Sequence, residues 1–396
     1  TWISLIGIIL AVFALIATLA VRAGFRAEFV DTILGANAHV SIYTSRYVDS
    51  QGQITRGFSN AVQVADNLRA VAGVLRAAPV IKDQAMVTAN GRNLGAQVFG
   101  MSQENLASLP RIGQGADAKG DLAQFASGIA IGQGIAQELG LLVGDKLRLI
   151  APDGVKTAFG TSPRVKSYPV VYIFSAGRYD IDHTRVYLPF TEAQSFFNRE
   201  GIADEIEVMV SLPDQIDQYA DALQAAAGGD VLLWTWKDGA SSFLRALKME
   251  DNVMFIILSI LVLIATMNIV SGLIMLVKNK GRDIGILRTM GLSEGAVMRI
   301  FFICGAATGL IGTVLGVLLG CFFALYIDPI FALVDYLSGG EAWDASVRGI
   351  YALPAKLLWQ DVASAVGLSL GLSFVVTLFP ARRAARLNPV EALRYE

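Results

Sequence analysis

Four runs without a single Asp, Glu, Lys or Arg constrain this chain more than any other feature: residues 2–21, 253–277, 300–327 and 362–381. A helix needs about 20 apolar residues to cross roughly 30 Å of hydrocarbon, and each run reaches that length. Charges bound every run, and each would cost about 2.5–3.5 kcal/mol at mid-bilayer on the insertion scale. Across the 396 residues, 54% are hydrophobic and 17% charged, too apolar a balance for an ordinary soluble protein. The expected fold is a membrane protein with four transmembrane α-helices and one large α+β domain, with a mixed sheet, inserted between the first and second. The spans occupy 1–22, 253–277, 296–327 and 362–381, and the inserted domain 23–252; 278–295 is a connecting helix, 328–361 a loop and 382–396 a tail.

The short loops set the orientation. Lys278, Lys280, Arg282, Arg288 and Arg299 face two acids after the second span, and Arg382, Arg383, Arg386 and Arg394 follow the fourth. The third–fourth loop carries Asp328, Asp335, Glu341, Asp344 and Asp361 against Arg348 and Lys356. The positive-inside rule then puts both termini and the connecting helix in the cytoplasm and the 23–252 domain outside, which in a bacterium is the periplasm. No small-residue cleavage site follows the first run, so we expect a span preceded by a short cytoplasmic leader rather than a signal peptide. Both cysteines, Cys304 and Cys321, fall in one apolar run, so the outer domain folds without disulfides.

In that domain "HVSIYTS" (39–45) alternates like a strand, and "NAVQVADNLRAVAGVLRAAP" (60–79) has helical spacing ended by proline. Asn90-Gly91 marks a hairpin, 129–152 reads as helix, turn and strand, and 184–198 as a strand delivering a helix. Residues 212–229 predict another amphipathic helix with a glycine stop. The expectation is a mixed sheet with helices on one face, divided into two subdomains.

No engine is visible. The chain has no G-x-x-x-x-G-K-[ST] phosphate loop and no G-x-S-x-G elbow, and its spans hold no ionisable relay. His39 and His183 lie far apart without metal-ligand spacing. Net charge is −2, so no basic surface argues for nucleic acid. We assign no catalytic and no metal residues. Asn268, Ser271, Thr308 and Thr313 are mild polar groups suited to interhelical hydrogen bonds. Gly305, Gly309, Gly312, Gly316 and Gly320 line one face of the third span and invite close helix packing; Gly367 and Gly371 repeat this weakly in the fourth.

"KNKGRDIGILRTMGLSEG" (278–295) is the most telling stretch. Asp283 suits a helix N-terminus, Gly291 a C-terminal stop, and Ser293 a cap for the helix that follows. Ile284, Ile286, Leu287 and Met290 keep the short helix amphipathic. From physics alone it is either a lever between spans or a passive helix on headgroups.

Residues 267–302, "MNIVSGLIMLVKNKGRDIGILRTMGLSEGAVMRIFF", resemble the coupling region of permeases related to FtsX and MacB, and "FPARRAARLNPVEALRYE" (379–396) resembles their C-terminal signature. More narrowly, 2–29, 243–269 and 351–362 resemble the LolC/LolE branch, permeases of the lipoprotein-releasing ABC transporter. The resemblance implies a non-catalytic subunit paired with a second permease, identical or paralogous, and two ATPase subunits that bind ATP and Mg on their own chains. Asp283, Ile284, Ile286, Leu287, Arg288, Met290 and Gly291 would then seat on the ATPase. The cargo would be a lipoprotein drawn from the outer leaflet among membrane lipids, contacting Ile16, Leu19, Ala20, Phe255, Leu258, Val262, Ile350 and Leu353. At the end of the first span the family has Met-Asn, whereas Arg22-Ala23 stand here, placing a charge where the family has an apolar contact. A hook within 153–169, with Phe159, Thr161, Ser162, Pro163 and Arg164 at or near its tip, would recruit a periplasmic lipoprotein chaperone. Two other functions fit the superfamily: a MacB-like efflux permease, usually fused to its ATPase, and an FtsX-like regulator of cell-wall hydrolases, usually with a smaller outer domain.

Overall fold

The computed structural model describes residues 2–44, 47–48, 54–55, 57–113, 115, 117–157, 160–228, 230–338 and 353–385. Two compact units share the chain: Thr1–Glu28 with Arg245–Ala342 and Ala352–Glu396, and Phe29–Leu244 with Trp343–Tyr351.

The first unit is helical: α1 (Trp2–Ala36), α2 (Ser241–Asn279), α3 (Gly281–Thr289), α4 (Glu294–Leu325), α5 (Ile327–Leu337) and α6 (Trp359–Ala385), of which α1 and α2 carry residues of both units. Ser4–Ala36, Glu294–Leu325 and Trp359–Arg383 are long and apolar enough to cross a membrane by length and composition. Among the described residues, α2 contributes a shorter apolar stretch, Val270–Asn279.

The glycine face of α4 organises these helices. A Cβ on Gly312, Gly316 or Gly320 would lie 2.8, 2.7 or 2.8 Å from Ile8, Val12 or Ile16 of α1. Both number series rise together, so α1 and α4 run parallel. Lower on the same face, a Cβ on Gly309 would stand 2.7 Å from Ser373 of α6, and one on Gly305 would collide with Thr377. Here the numbers run oppositely, so α6 is antiparallel. Thr313 shares a 2.8 Å hydrogen bond with Ser369 of α6 and donates to the Gly309 carbonyl at 2.7 Å. Thr308, expected to bond another helix, instead donates to the Cys304 carbonyl of its own turn at 2.9 Å, because its position faces away from the packed seam. Gly367 and Gly371 have open space where a Cβ would stand, so they make no close packing with this chain.

The second unit is built on a ten-stranded mixed sheet: β1 (Val40–Thr44), β2 (Val74–Ala89), β3 (Arg92–Met101), β4 (Lys119–Gly120), β5 (Ile129–Gly132), β6 (Lys146–Thr157), β7 (Gly160–Phe174), β8 (Arg185–Pro189), β9 (Glu205–Val210) and β10 (Val231–Thr235). The order is β10-β1-β9-β2-β3-β8-β5-β7-β4, and β6 bridges β2 and β7. β2 serves two half-sheets: residues 74–80 pair with β9, and 81–89 with β3. Asn90 (φ 50) and Gly91 (φ 75) make the expected tight β2–β3 turn, both in the left-handed region that this hairpin type requires.

Three sequence expectations need correction. The predicted 60–79 helix stops after Ala61–Arg69; Gly73, at φ +85, turns the chain, and Val74–Ala89 is a strand that contains Pro79. Its first half has β9 on one side and no ladder partner on the other among the described residues, an edge that tolerates proline. The 212–229 helix splits into a 3₁₀ segment, Pro213–Tyr219, and an α segment, Ala220–Ala227, stopped by Gly228 at φ +104. Helices also cover both faces of the second half-sheet, not one. Ile129 and Ile131 enter a core with Ile135 and Phe196, while Ala130 enters another with Leu106, Ile112 and Phe125. Parallel pairing of β3 with β8 and of β5 with β7 requires that cover.

On β9, Ile206 and Val208 enter the apolar core of the first half-sheet, and Glu205 and Glu207 project from the other face. Arg76 Nη2 meets Glu207 Oε2 at 3.1 Å, and Lys82 Nζ stands 3.6 Å from Glu205 Oε1. Burial pushes the Glu205 carboxyl up, against the pull of Lys82.

Two outcomes follow. Gly316→Val forces atoms into the α1 backbone and should destabilise the helical unit by about 1–3 kcal/mol, read as lost monodispersity in detergent. A raised carboxyl binds its proton more tightly in the folded state, so its ionisation opposes folding at neutral pH and this cost fades on acidification through the folded pKa. Glu205→Gln should therefore slow hydrogen exchange of the β9 amides near pH 7, with the advantage shrinking as the pH falls through the folded pKa of Glu205. An advantage that grows with acid would contradict this.

Candidate functional site

The 278–295 segment forms a helix with two working faces. Lys280 Nζ pairs with Asp283 at 2.9 Å in the first turn of α3. At its end Gly291, at φ +101, sends its N–H to the Arg288 carbonyl (3.1 Å), and Leu292 sends its own to Leu287 (3.0 Å). That is the paired closure of a Schellman stop, which an L side chain at Gly291 would strain. Ser293 caps α4 by accepting from the Ala296 N–H at 3.3 Å.

Inward, Ile284 is only 4% exposed and packs with Val277 of α2, Val297 and Phe301 of α4, and Ala381 of α6. Arg288 ties the same region together: Nη1 donates to the Ala385 carbonyl at 3.1 Å, and Nη2 meets Glu294 at 2.9 Å. Outward, Ile286, Leu287 (44% exposed) and Met290 (78% exposed) are uncovered. α3 is thus pinned to three long helices on one side and offers an apolar, flexible contact on the other.

The residues expected to meet lipid fall into distinct settings. Ile16 is 2% exposed against Gly320; Leu19 and Ala20 belong to the same packed region. The Ala20 carbonyl accepts the Lys356 N–H at 2.9 Å, and a Cβ on Gly24 would lie 2.5 Å from Ala355, so the 353–358 segment, with half-buried Leu353, lies along the end of this span. Phe255, Leu258 and Val262 lie on α2 with side chains outside the described residues, and Ile350 is outside them altogether. Sequence reasoning passed over Ile256, Ile260, Ile264 and Met267, which form an exposed apolar stripe on α2; their i, i+4 spacing was the available signal.

In the second unit β6 and β7 pair as a long hairpin, from Lys146 opposite Pro169 to Thr157 opposite Gly160. Phe159 and the Thr161 side chain lie outside the described residues; Ser162 and Pro163 are exposed. Arg164 braces the hairpin rather than lying free: Nη2 donates to Asn198 Oδ1 at 2.7 Å and Nη1 to the Ser195 carbonyl. Below it Glu192 accepts from Lys166 at 2.6 Å and from the Tyr168 hydroxyl at 2.7 Å. Burial acts to raise the Glu192 carboxyl, but these two bonds outweigh it and hold it low. Beside the hairpin runs a groove of about 690 Å³ lined by Gln84, Met86, Gly95, Ile150, Pro152 and Pro163.

Comparison with known proteins matches this arrangement in both units. The family model for the MacB-like periplasmic core domain covers residues 1–226, and that for the FtsX-like permease C-terminal covers 255–389. The lipoprotein-releasing system transmembrane protein LolC of Neisseria meningitidis serogroup B is 33% identical over 400 residues, covering 100% of this chain and 94% of that protein. This chain belongs to the LolC/LolE permease family. LolE of Haemophilus influenzae is 28% identical over 397 residues, covering 98% of this chain and 93% of that protein. Membership in this permease family accounts for a membrane subunit with a MacB-like periplasmic-type domain and a mixed sheet.

The bracing role of Arg164 has its own test. Arg164→Ala removes bonds worth about 1.5–3 kcal/mol for a charged donor, less solvent screening. Hydrogen exchange should speed up across residues 160–166 and stay unchanged in β5. Uniform exchange throughout would mean the arginine braces nothing.

Proposed function

We propose that this chain is a permease subunit of a lipoprotein-releasing ABC transporter in a bacterial inner membrane. It crosses the membrane four times, through α1, α2, α4 and α6, with both termini cytoplasmic and the sheet domain periplasmic. It works beside a second permease and two ATPase subunits, which bind ATP and Mg. Lipoprotein is drawn from the outer leaflet and passed to a periplasmic chaperone. The 33% identity to a LolC over the full chain supports the cargo class.

The observation that carries the coupling is the two-sided α3. A rigid link needs an anchored face, supplied by Ile284 and Arg288, and a face for the motor, supplied by Ile286, Leu287 and Met290. Gly291 stops it at one end, and Asp283 pairs with Lys280 in its first turn. Movement of α3 reaches α2, α4 and α6 through one packed cluster, and α1 through the α4 glycine face. No pore for a soluble solute is required by such a mechanism.

For cargo, acyl chains would meet the exposed α2 stripe together with Phe255, Leu258 and Val262. The buried Ile16, Leu19 and Ala20, with Leu353 and Ile350, would shape the neighbouring wall at the end of α1. The chaperone would engage the β6–β7 hairpin through Phe159, Thr161, Ser162 and Pro163, with Arg164 holding the hairpin upright.

Leu287→Asp puts a charge on the outward face without touching the Ile284 anchor. Membrane insertion should be retained, while co-purification of the ATPase and lipoprotein release fall at least tenfold, about 1.4 kcal/mol or more of lost association. Undiminished co-purification and release would remove α3 as the lever.

A further inference from the structure

α5 is a second short helix attached to a span, at the opposite end of α4 from α3. One non-helical residue, Tyr326 (φ −110, ψ 28), separates α4, ending at Leu325, from α5, beginning at Ile327. Chain connectivity therefore keeps the start of α5 within a few ångströms of where α4 ends. Its sequence, IDPIFALVDYL, has two charges, Asp328 and Asp335, seven residues apart and so on one stripe. The rest of the circumference is apolar. Ile327 is buried and Ile330, Phe331 and Asp335 are half-buried, but Leu333, Val334, Tyr336 (83% exposed) and Leu337 (74% exposed) face outward.

Such a surface next to water would be a liability, yet two features supply its cover. Phe322, Leu325 and Tyr326 are exposed immediately before it, so the bare surface continues the apolar flank of α4 without interruption. Exposed aromatics cluster at the corresponding helix ends: Tyr326 at the end of α4, Tyr336 on α5, and Trp359 at the start of α6. Tyrosine and tryptophan are the residues that settle at the headgroup level of a bilayer. No Lys or Arg occurs between residues 300 and 347, so attraction to anionic lipid plays no part.

We propose that α5 lies in the headgroup–acyl boundary of the outer leaflet, with Leu333, Val334 and Leu337 turned toward the acyl chains and Asp328 and Asp335 toward water. The ligand is a zwitterionic lipid surface. An amphipathic helix in this position sinks roughly 5–10 Å into the boundary. This rests on the reading of α4 as a span. It adds to the four crossings a fifth, in-plane membrane contact, in the leaflet from which cargo would be taken.

The test places single spin labels at Leu333, Leu337, Asp335 and, as a mid-span reference, Leu318, with Cys304 and Cys321 replaced by serine. The full-length chain with its co-purifying partners is reconstituted in phosphatidylethanolamine–phosphatidylglycerol vesicles. Labels at Leu333 and Leu337 should collide with oxygen severalfold more than with a water-soluble nickel chelate, at depths shallower than Leu318. The Asp335 label should favour nickel, and lowering the phosphatidylglycerol fraction should change nothing. Nickel access at Leu333 and Leu337 would put α5 in water, and exclusion of both probes would mean that protein covers it; either overturns the proposal while leaving α4 a span. A Leu318 label without lipid contact would sink the span reading and this proposal together. A mutation-free check uses phosphatidylethanolamine carrying a photoreactive acyl chain: adducts on residues 333–337 of the unmodified chain support the proposal, and their absence beside strong α4 labelling overturns it.

Discussion

Close approach of backbones along the glycine face of α4 is the contact on which the helical unit depends. Inside a bilayer, helices gain no hydrophobic energy by associating, since lipid tails are as apolar as leucine. What remains is van der Waals contact at short range, and that requires side chains to be missing on one helix. Gly312, Gly316 and Gly320 accept Ile8, Val12 and Ile16, while Gly305 and Gly309 accept Thr377 and Ser373. A single face thus holds a parallel neighbour along one half and an antiparallel neighbour along the other, with the Thr313–Ser369 hydrogen bond at the changeover.

The short helices at the two ends of α4 are held differently. α3 is folded back onto the bundle by Ile284 and Arg288, so its outward apolar residues are held in a fixed frame. α5 buries Ile327, half-buries Ile330 and Phe331, and leaves Leu333, Tyr336 and Leu337 exposed beside the exposed end of α4. The proposed roles ask for this difference in anchoring: a lever must be braced against what it moves, whereas an interfacial helix needs only the boundary itself.

The sheet unit solves another problem. Its long β2 strand belongs to two half-sheets, one with apolar cover on a single face and a buried charge layer on the other, and one with cores on both faces. The charge layer is held by Arg76–Glu207 and Lys82–Glu205, pairs made by strands distant in sequence. From the second half-sheet the β6–β7 hairpin projects, braced by Arg164 onto the loop after Phe190–Phe196.

Much of this was legible from local pattern. Apolar runs announced three of the long helices by length alone, Asn90-Gly91 its turn, Ser293 its cap, and Gly291 the stop of α3, since each depends on residues a few positions apart. In the stretch 60–79 only Ala61–Arg69 is helical, because Ala, Val and Leu at helical spacing also suit a buried strand, and only pairing with β9 settles which period the end of it uses. Thr308 and Thr313 look alike in sequence, yet one bonds its own turn and the other reaches Ser369, according to which side faces α6. Likewise Ile284 and Leu287 are equally apolar in the chain. Sequence determined that α3 would be a short amphipathic helix with defined ends, because propensity, capping and turn chemistry act locally. Which of its apolar residues is anchored and which is offered outward was decided only by tertiary packing, since that depends on Val277, Val297, Phe301 and Ala381, brought together from three separate helices.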